Sequence, residues 1–80
     1  MKYLVDFGTG VGNKEVNTIE EAKVYAQENI SYTEKNIGIW GIDENEDYNL
    51  LLTSKWVDRG TGQGTKKIAK IGTGYYTDWY

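Results

Sequence analysis

Three short glycine-rich segments divide this chain of 80 residues and restrict where its helices and strands can lie. Each segment contains a Gly-Thr-Gly triplet, at residues 8–10, 60–62 and 72–74, and together they hold eight of the ten glycines. Glycine favours turns and lets backbone amides come close to a partner, because it has no side chain. We therefore expect short elements that are joined by loops at these places.

The composition indicates one small globular domain over residues 1–80. The hydrophobic content of 39%, with eleven aromatic residues, is sufficient for a core and too high for a disordered chain. No apolar run approaches the roughly 20 residues that span a bilayer, and the first residues lack the pattern of a signal peptide. A cytoplasmic protein with no membrane partner is expected.

Charge is distributed unevenly along the chain, although the net charge is only −3. Residues 15–47 contain nine acidic residues and two lysines, whereas residues 48–80 contain five basic and two acidic residues. We expect one anionic and one mildly cationic region on the surface, and such asymmetry steers partners without setting the fold.

The pattern of side chains predicts an α+β fold in the order β-α-β-β-β, with room for one more strand. Thr18 and Glu21 form a capping box that begins a helix over Ile19–Glu28, with Ala22 and Ala26 on its buried face. Strands are predicted at residues 2–7, 37–42, 48–57 and 66–71, and residues 75–80 either form a short fifth strand or fold over the core. Residues 8–14 and 58–65 are predicted loops, and residues 43–47 are a charged turn. One helix would cover one face of a mostly antiparallel sheet.

Two glycine segments resemble nucleotide-binding loops but depart from the required patterns. A dinucleotide-binding loop requires its third glycine where this chain has Asn13. A phosphate-binding loop requires glycine directly before the lysine, where Thr65 precedes Lys66, and a serine or threonine where Lys67 follows. The two loops are interpreted as turns whose amides or lysines can contact one phosphate or carboxylate.

The side chains offer little for catalysis. Without histidine or cysteine, Ser31 and Ser54 have no evident base. Residues 43–47 begin like a calcium loop but have Tyr48 in place of the glycine at the sixth position. We therefore predict a protein that is not an enzyme and that has neither a metal site nor a cofactor.

Aromatic residues are concentrated at the end of the chain, in Tyr75, Tyr76, Trp79 and Tyr80. Tyrosine and tryptophan are enriched in binding hot spots and stack on nucleobases. In so small a domain these residues would equally serve to complete the core. Both roles are compatible if one face of the segment is buried and the other is exposed.

The opening of the chain (residues 2–13) and its close (residues 71–79) resemble short uncharacterised proteins encoded by phages, prophages and integrative elements of Gram-positive bacteria. With the helix and the hairpin between them, the resemblance covers most of the chain. It implies a mobile-element context, in which small acidic proteins resemble inhibitors of host defence such as anti-CRISPR proteins. The resemblance assigns no functional residue.

The leading hypothesis is a binding protein that inhibits a host defence effector that handles nucleic acid. The predicted contact residues are three carboxylates and three aromatics: Glu44, Glu46, Asp47, Tyr75, Tyr76 and Trp79. The alternative is a protein that sequesters a nucleotide signal, with contacts from Gly10, Arg59, Gly62, Lys66, Lys67 and Tyr76. Weak binding of single-stranded nucleic acid and a structural or regulatory role in the mobile element are further alternatives.

Overall fold

Two antiparallel sheets and one helix make up the protein, and the computed structural model describes all residues from 1 to 80. The four-stranded sheet has the order β2-β1-β3-β4 and the three-stranded sheet the order β5-β7-β6. In chain order the elements are β1 (Lys2–Asp6), β2 (Lys14–Val16), α1 (Ile19–Glu28), β3 (Ile37–Ile42), β4 (Tyr48–Ser54), β5 (Trp56–Val57), β6 (Lys67–Ile71) and β7 (Gly74–Thr77). The predicted α+β class, with one helix and antiparallel pairing, is confirmed.

The helix begins at the predicted capping box and spans Ile19–Glu28, as predicted. Thr18 is the N-cap, and its hydroxyl accepts a hydrogen bond of 3.0 Å from the amide of Glu21. Ala22 and Ala26 are fully buried. Their small side chains let α1 lie close to the four-stranded sheet, so the predicted helix face is also confirmed. No helix in the protein is long and apolar enough to cross a bilayer.

Two element predictions were wrong. Residues 14–16 form a strand, β2, that was not predicted; the predicted loop ended at Lys14, and Val16 pairs opposite Tyr3 and is buried. The predicted single strand over residues 48–57 is broken at Lys55, and its two parts belong to different sheets. The buried Ser54 hydroxyl donates to the Thr77 carbonyl over 2.7 Å. Thr77 also bonds Lys55, through its own amide and its hydroxyl, so β7 fixes the point of the break.

The core lies between the four-stranded sheet on one side and the helix with the three-stranded sheet on the other. Tyr76 is the largest fully buried side chain, and its ring lies 5.3 Å from that of Trp56. The eight residues of the core cluster are Val5, Phe7, Val16, Ala22, Ala26, Ile37, Ile39 and Tyr76. All strands of the four-stranded sheet except β4 contribute to this cluster, and the opposite face of that sheet is left without a covering layer.

Candidate functional site

The uncovered face of the four-stranded sheet holds an apolar cluster, with charged side chains of β1 and β2 at its margin. Strand alternation puts Leu4, Trp40 and Ile42 on the side that points away from the helix, and Leu50 and Tyr48 extend this side onto β4. Leu4 pairs opposite Trp40, Trp40 opposite Leu50, and Ile42 opposite Tyr48. None of the five residues belongs to the core cluster or packs against it. We refer to these five residues as the open face.

The open face presents its apolar surface mainly on β4. Tyr48 is 53% exposed and Leu50 is 51% exposed, whereas Leu4 and Trp40 are half-buried and Ile42 is buried. An apolar patch with an exposed tyrosine and leucine beside a half-buried tryptophan is typical of protein-binding surfaces. This face is therefore the strongest candidate for a binding surface in the molecule.

A bulge between β3 and β4 determines which leucine joins the open face. Ile39 pairs with Leu52, but the next residue, Trp40, pairs with Leu50, so Leu51 is the extra residue. A side chain at Gly38 would meet both Leu50 and Trp40 at 3.1 Å, which shows that these two side chains share one face. The alternation of residues 37–42 already predicts that Trp40 and Ile42 lie on the other face of β3 from the core residues Ile37 and Ile39. No sequence pattern reveals the bulge.

The turn over residues 43–47 is held together by Asp43. Its Oδ1 accepts hydrogen bonds from the amides of Asn45 (2.9 Å) and Asp47 (3.0 Å). Glu46 has a φ of +64°, a conformation that is unfavourable for glutamate. Glu44, Glu46 and Asp47 are exposed and take part in no ion pair. We refer to these three residues as the acidic tip; their exposure agrees with prediction, and their role in binding stays a prediction.

The acidic tip adjoins the open face. A surface cavity of ≈ 750 Å³ has walls that include Ile42 from the open face and Glu44 and Glu46 from the acidic tip. Glu15 lines the same cavity and pairs opposite Leu4 on β1. Tyr48 follows Asp47 directly in the chain. Apolar surface and carboxylates therefore form one continuous region.

The C-terminal aromatics lie elsewhere. Tyr76 is 1% exposed, and its hydroxyl donates to the Lys35 carbonyl over 2.9 Å, so its prediction as a contact for either a partner or a ligand was wrong. Tyr75 and Trp79 are half-buried, and Trp79 packs against the core cluster. The seven residues of β4 separate the acidic tip from β5 and β7 by about 20 Å, at ~3.3 Å per residue. The structure does not bring the predicted carboxylates and aromatics together.

Part of the predicted nucleotide-binding set does come together, but its groups bond to one another. Gly62 lies against the Tyr75 ring, and the Lys67 amino group donates to the Gly62 carbonyl over 3.3 Å. The loop therefore lies against part of the Tyr75 ring. Arg59 and Lys66 are exposed and lie 3.9 Å from Asp58 and Asp78 respectively. Neither Arg59 nor Lys66 lines the cavity beside the acidic tip.

Gly10 belongs to a different loop, which lies near the C-terminal end of α1. The cavity of ≈ 370 Å³ beside this loop is lined by Gly12, Tyr25 and Asn29, and Asn29 is the C-cap of α1. A helix C-terminus carries partial negative charge, which disfavours phosphate or carboxylate. The Tyr25 hydroxyl donates to the Gly12 carbonyl over 2.8 Å, which indicates a structural role for this loop.

Ser54 is fully buried, with its hydroxyl committed to the Thr77 carbonyl, which gives this serine a structural role. No group of three acidic side chains is arranged to hold a metal ion.

Comparison with known proteins found no matching family, no similar curated protein and no similar solved structure. The assignment of function therefore depends on the open face and the acidic tip.

Proposed function

We propose that the protein is a non-enzymatic binding domain that docks on a cationic protein surface through its open face and acidic tip. The observation that carries this proposal is the continuity of the two surfaces around Ile42 and Tyr48. Burial of apolar area would supply most of the affinity, and the carboxylates would supply orientation and a fast, salt-sensitive encounter.

The geometry of the turn supports a functional role for the tip. The left-handed backbone at Glu46 is easier for glycine or asparagine, so glutamate at this position costs stability, as it does at Glu34. Strained positions of this kind are frequent where a side chain is kept for binding. A carboxylate at Glu46 is explained if it contacts a partner.

A basic partner surface that normally binds nucleic acid matches this chemistry, because carboxylates can replace phosphates as the anionic groups. We accordingly propose inhibition of a nucleic-acid-handling defence effector, in a bacterial host that carries the mobile element. Trp40, Tyr48 and Leu50 take the anchoring role that the sequence suggested for the C-terminal aromatics.

The proposal is tested by affinity capture from host lysate, followed by titration of the purified partner. Glu44→Lys/Glu46→Lys should weaken binding by about tenfold or more, since two attractive contacts become repulsive. Glu46→Asn should weaken it less, because it removes charge at a backbone conformation that asparagine tolerates. Added salt should lower the association rate of the wild type but raise that of the doubly reversed variant, because salt screens attraction in the first case and repulsion in the second.

The control is Glu20→Lys/Glu28→Lys, an equal change of charge on the helix, which packs on the other face of the sheet. This control should bind the partner with nearly the wild-type affinity at moderate salt. Equal loss in both double variants would show that only net charge matters and would remove the acidic tip from the site. Unchanged binding by Leu50→Asp would exclude the open face.

A further inference from the structure

A groove lies between α1 and the edge strand β2, on the opposite side of the four-stranded sheet from the open face. Its volume is ≈ 400 Å³, and most of its accessible surface is apolar. The residues that line it come from β2 (Lys14, Val16) and from one flank of the helix (Glu20, Glu21, Val24, Tyr25, Glu28). Val24 is 55% exposed although it belongs to this apolar surface. We refer to this feature as the helix groove.

The edge of β2 that borders the helix groove has no backbone partner. β2 is the outer strand of its sheet and pairs with β1 on its other side. Residues Lys14–Val16 make no backbone hydrogen bond beyond those of this pairing. An extended chain adds to such an edge through backbone hydrogen bonds, and its alternate side chains then point into the adjoining groove.

The spacing of the helix residues matches the spacing of an extended chain. Glu20, Val24 and Glu28 follow one another every four residues along one flank of α1, at intervals of about 6 Å. Alternate residues of a β-strand are about 6.6 Å apart. Three successive groove-facing side chains of a strand beside the helix would therefore meet a carboxylate, an apolar side chain and a second carboxylate.

Charge complementarity identifies the side chains that fit the two ends of this row. Glu20 and Glu28 are exposed and form no ion pair. The one cation of the helix groove, Lys14, lies over the Tyr25 ring, with its amino nitrogen 5.0 Å from the ring centroid. The lining residues thus carry an excess of carboxylates, which favours lysine or arginine at both ends of an occupant.

We infer that the helix groove is a second binding site, which takes an extended basic segment of a protein. In this segment a lysine or arginine, an apolar residue and a second lysine or arginine occupy alternate positions. The segment adds to β2 as a strand, its apolar side chain packs on Val24, and its cations pair with Glu20 and Glu28. The site is independent of the proposed function, because the helix groove and the open face lie on opposite sides of the sheet.

An NMR titration with a defined peptide tests the site. The probe has seven residues, with lysine at the second and sixth positions, valine at the fourth and threonine elsewhere. It is added up to about 5 mM, because so small a contact binds weakly. The amide signals of Lys14–Val16 and of the helix flank should shift, whereas those of Trp40 and Leu50 on the open face should not. Absence of shifts at β2, or larger shifts on the open face, would overturn the inference.

Modified peptides test how the segment binds. Methylation of the backbone nitrogens of the three central residues removes hydrogen-bond donors and should weaken binding by about tenfold. Replacement of both lysines by glutamate should abolish binding, since attraction to the carboxylates becomes repulsion. Equal binding of the methylated peptide would show that the occupant does not pair as a strand, and equal binding of the acidic peptide would refute the role of the carboxylates.

Variants of the protein separate this site from the open face. Glu20→Lys/Glu28→Lys should abolish binding of the peptide at about 0.15 M salt, whereas Glu44→Lys/Glu46→Lys should change it by less than about twofold. The order of effects is the reverse of that expected for the partner of the open face, so one site can fail without the other. Val24→Ser should weaken binding by about threefold, because apolar contact is lost at an exposed position that the fold does not need. Circular dichroism of each variant checks its fold, and equal losses in the two double variants would show that net charge alone attracts the peptide.

Discussion

Gly74 shows at the scale of a single residue why glycine recurs in this sequence. A Cβ atom there would lie 2.7 Å from the Trp56 indole and would collide with the Val57 carbonyl oxygen. Gly62 is similarly pressed against Tyr75, with a φ of +64°. In two of the three Gly-Thr-Gly segments, glycine therefore lets the backbone lie against an aromatic ring of the same chain. The close approach that glycine permits serves packing within the protein.

The contrast between Gly74 and Gly64 yields a stability prediction. Gly74→Ala should destabilise the protein by about 3 kcal/mol, because backbone or the indole must move to make room. Gly64 has a φ of +76° and open space around it, so Gly64→Ala should cost only about 1 kcal/mol of backbone strain. Urea unfolding of both variants measures the difference. Equal losses would mean that close packing at Gly74 is unimportant.

At the scale of elements, the sequence predicts the features that depend on neighbouring residues. It does not predict strand breaks and bulges, because contacts between distant residues determine them. The start of the helix follows from Thr18 and Glu21, which act within one turn. The break at Lys55 depends on Thr77, 22 residues away, and the bulge at Leu51 depends on the pairing of two strands. No local pattern carries such information.

The candidate site follows the same division. The acidic tip was predictable, because a run of charged residues between two strands has to be an exposed turn. The open face was predictable only in part. Alternation places Trp40 on the face of β3 that points away from the core. Only the sheet order shows that no layer covers this face. Tyr76 was misassigned because a run of aromatics does not indicate which ring points inward.

The junction between the two sheets gives the prediction for this scale. Ser54→Ala should destabilise the protein by about 1–2 kcal/mol, since the Thr77 carbonyl loses a buried hydrogen bond of 2.7 Å. Ser31→Ala is the matched control, because Ser31 is exposed and should change stability by less than about 0.5 kcal/mol. Both values come from chemical denaturation. A neutral Ser54→Ala would show that the two other hydrogen bonds between Lys55 and Thr77, one of which uses the Thr77 hydroxyl, suffice to fix the break.

At the scale of the whole molecule, the two sheets share one core although they share no strand. Tyr76 of β7 is a member of the core cluster together with Val5 and Ile39 of the four-stranded sheet. Hydrogen bonds link the two parts at several points, from Tyr76 to Lys35, from Gln27 to Ile68, and between Thr53 and Tyr80. The three-stranded sheet has only three short strands, and such a sheet depends on packing against other structure for its stability.

These contacts predict that the protein unfolds in a single cooperative step. Trp40 lies on the four-stranded sheet, Trp56 lies in the three-stranded sheet, and Trp79 follows β7. In a Trp40→Phe variant, tryptophan fluorescence therefore comes only from the part of the protein that contains the three-stranded sheet. Its fluorescence transition in urea should coincide with its far-ultraviolet circular dichroism transition, and one midpoint should describe both. Tyr76→Phe should lower that midpoint for both signals together, because loss of the bond to the Lys35 carbonyl weakens a core that both sheets need. Earlier loss of the fluorescence signal would instead show that β5, β6 and β7 unfold separately, and the chain would then consist of two cooperative units.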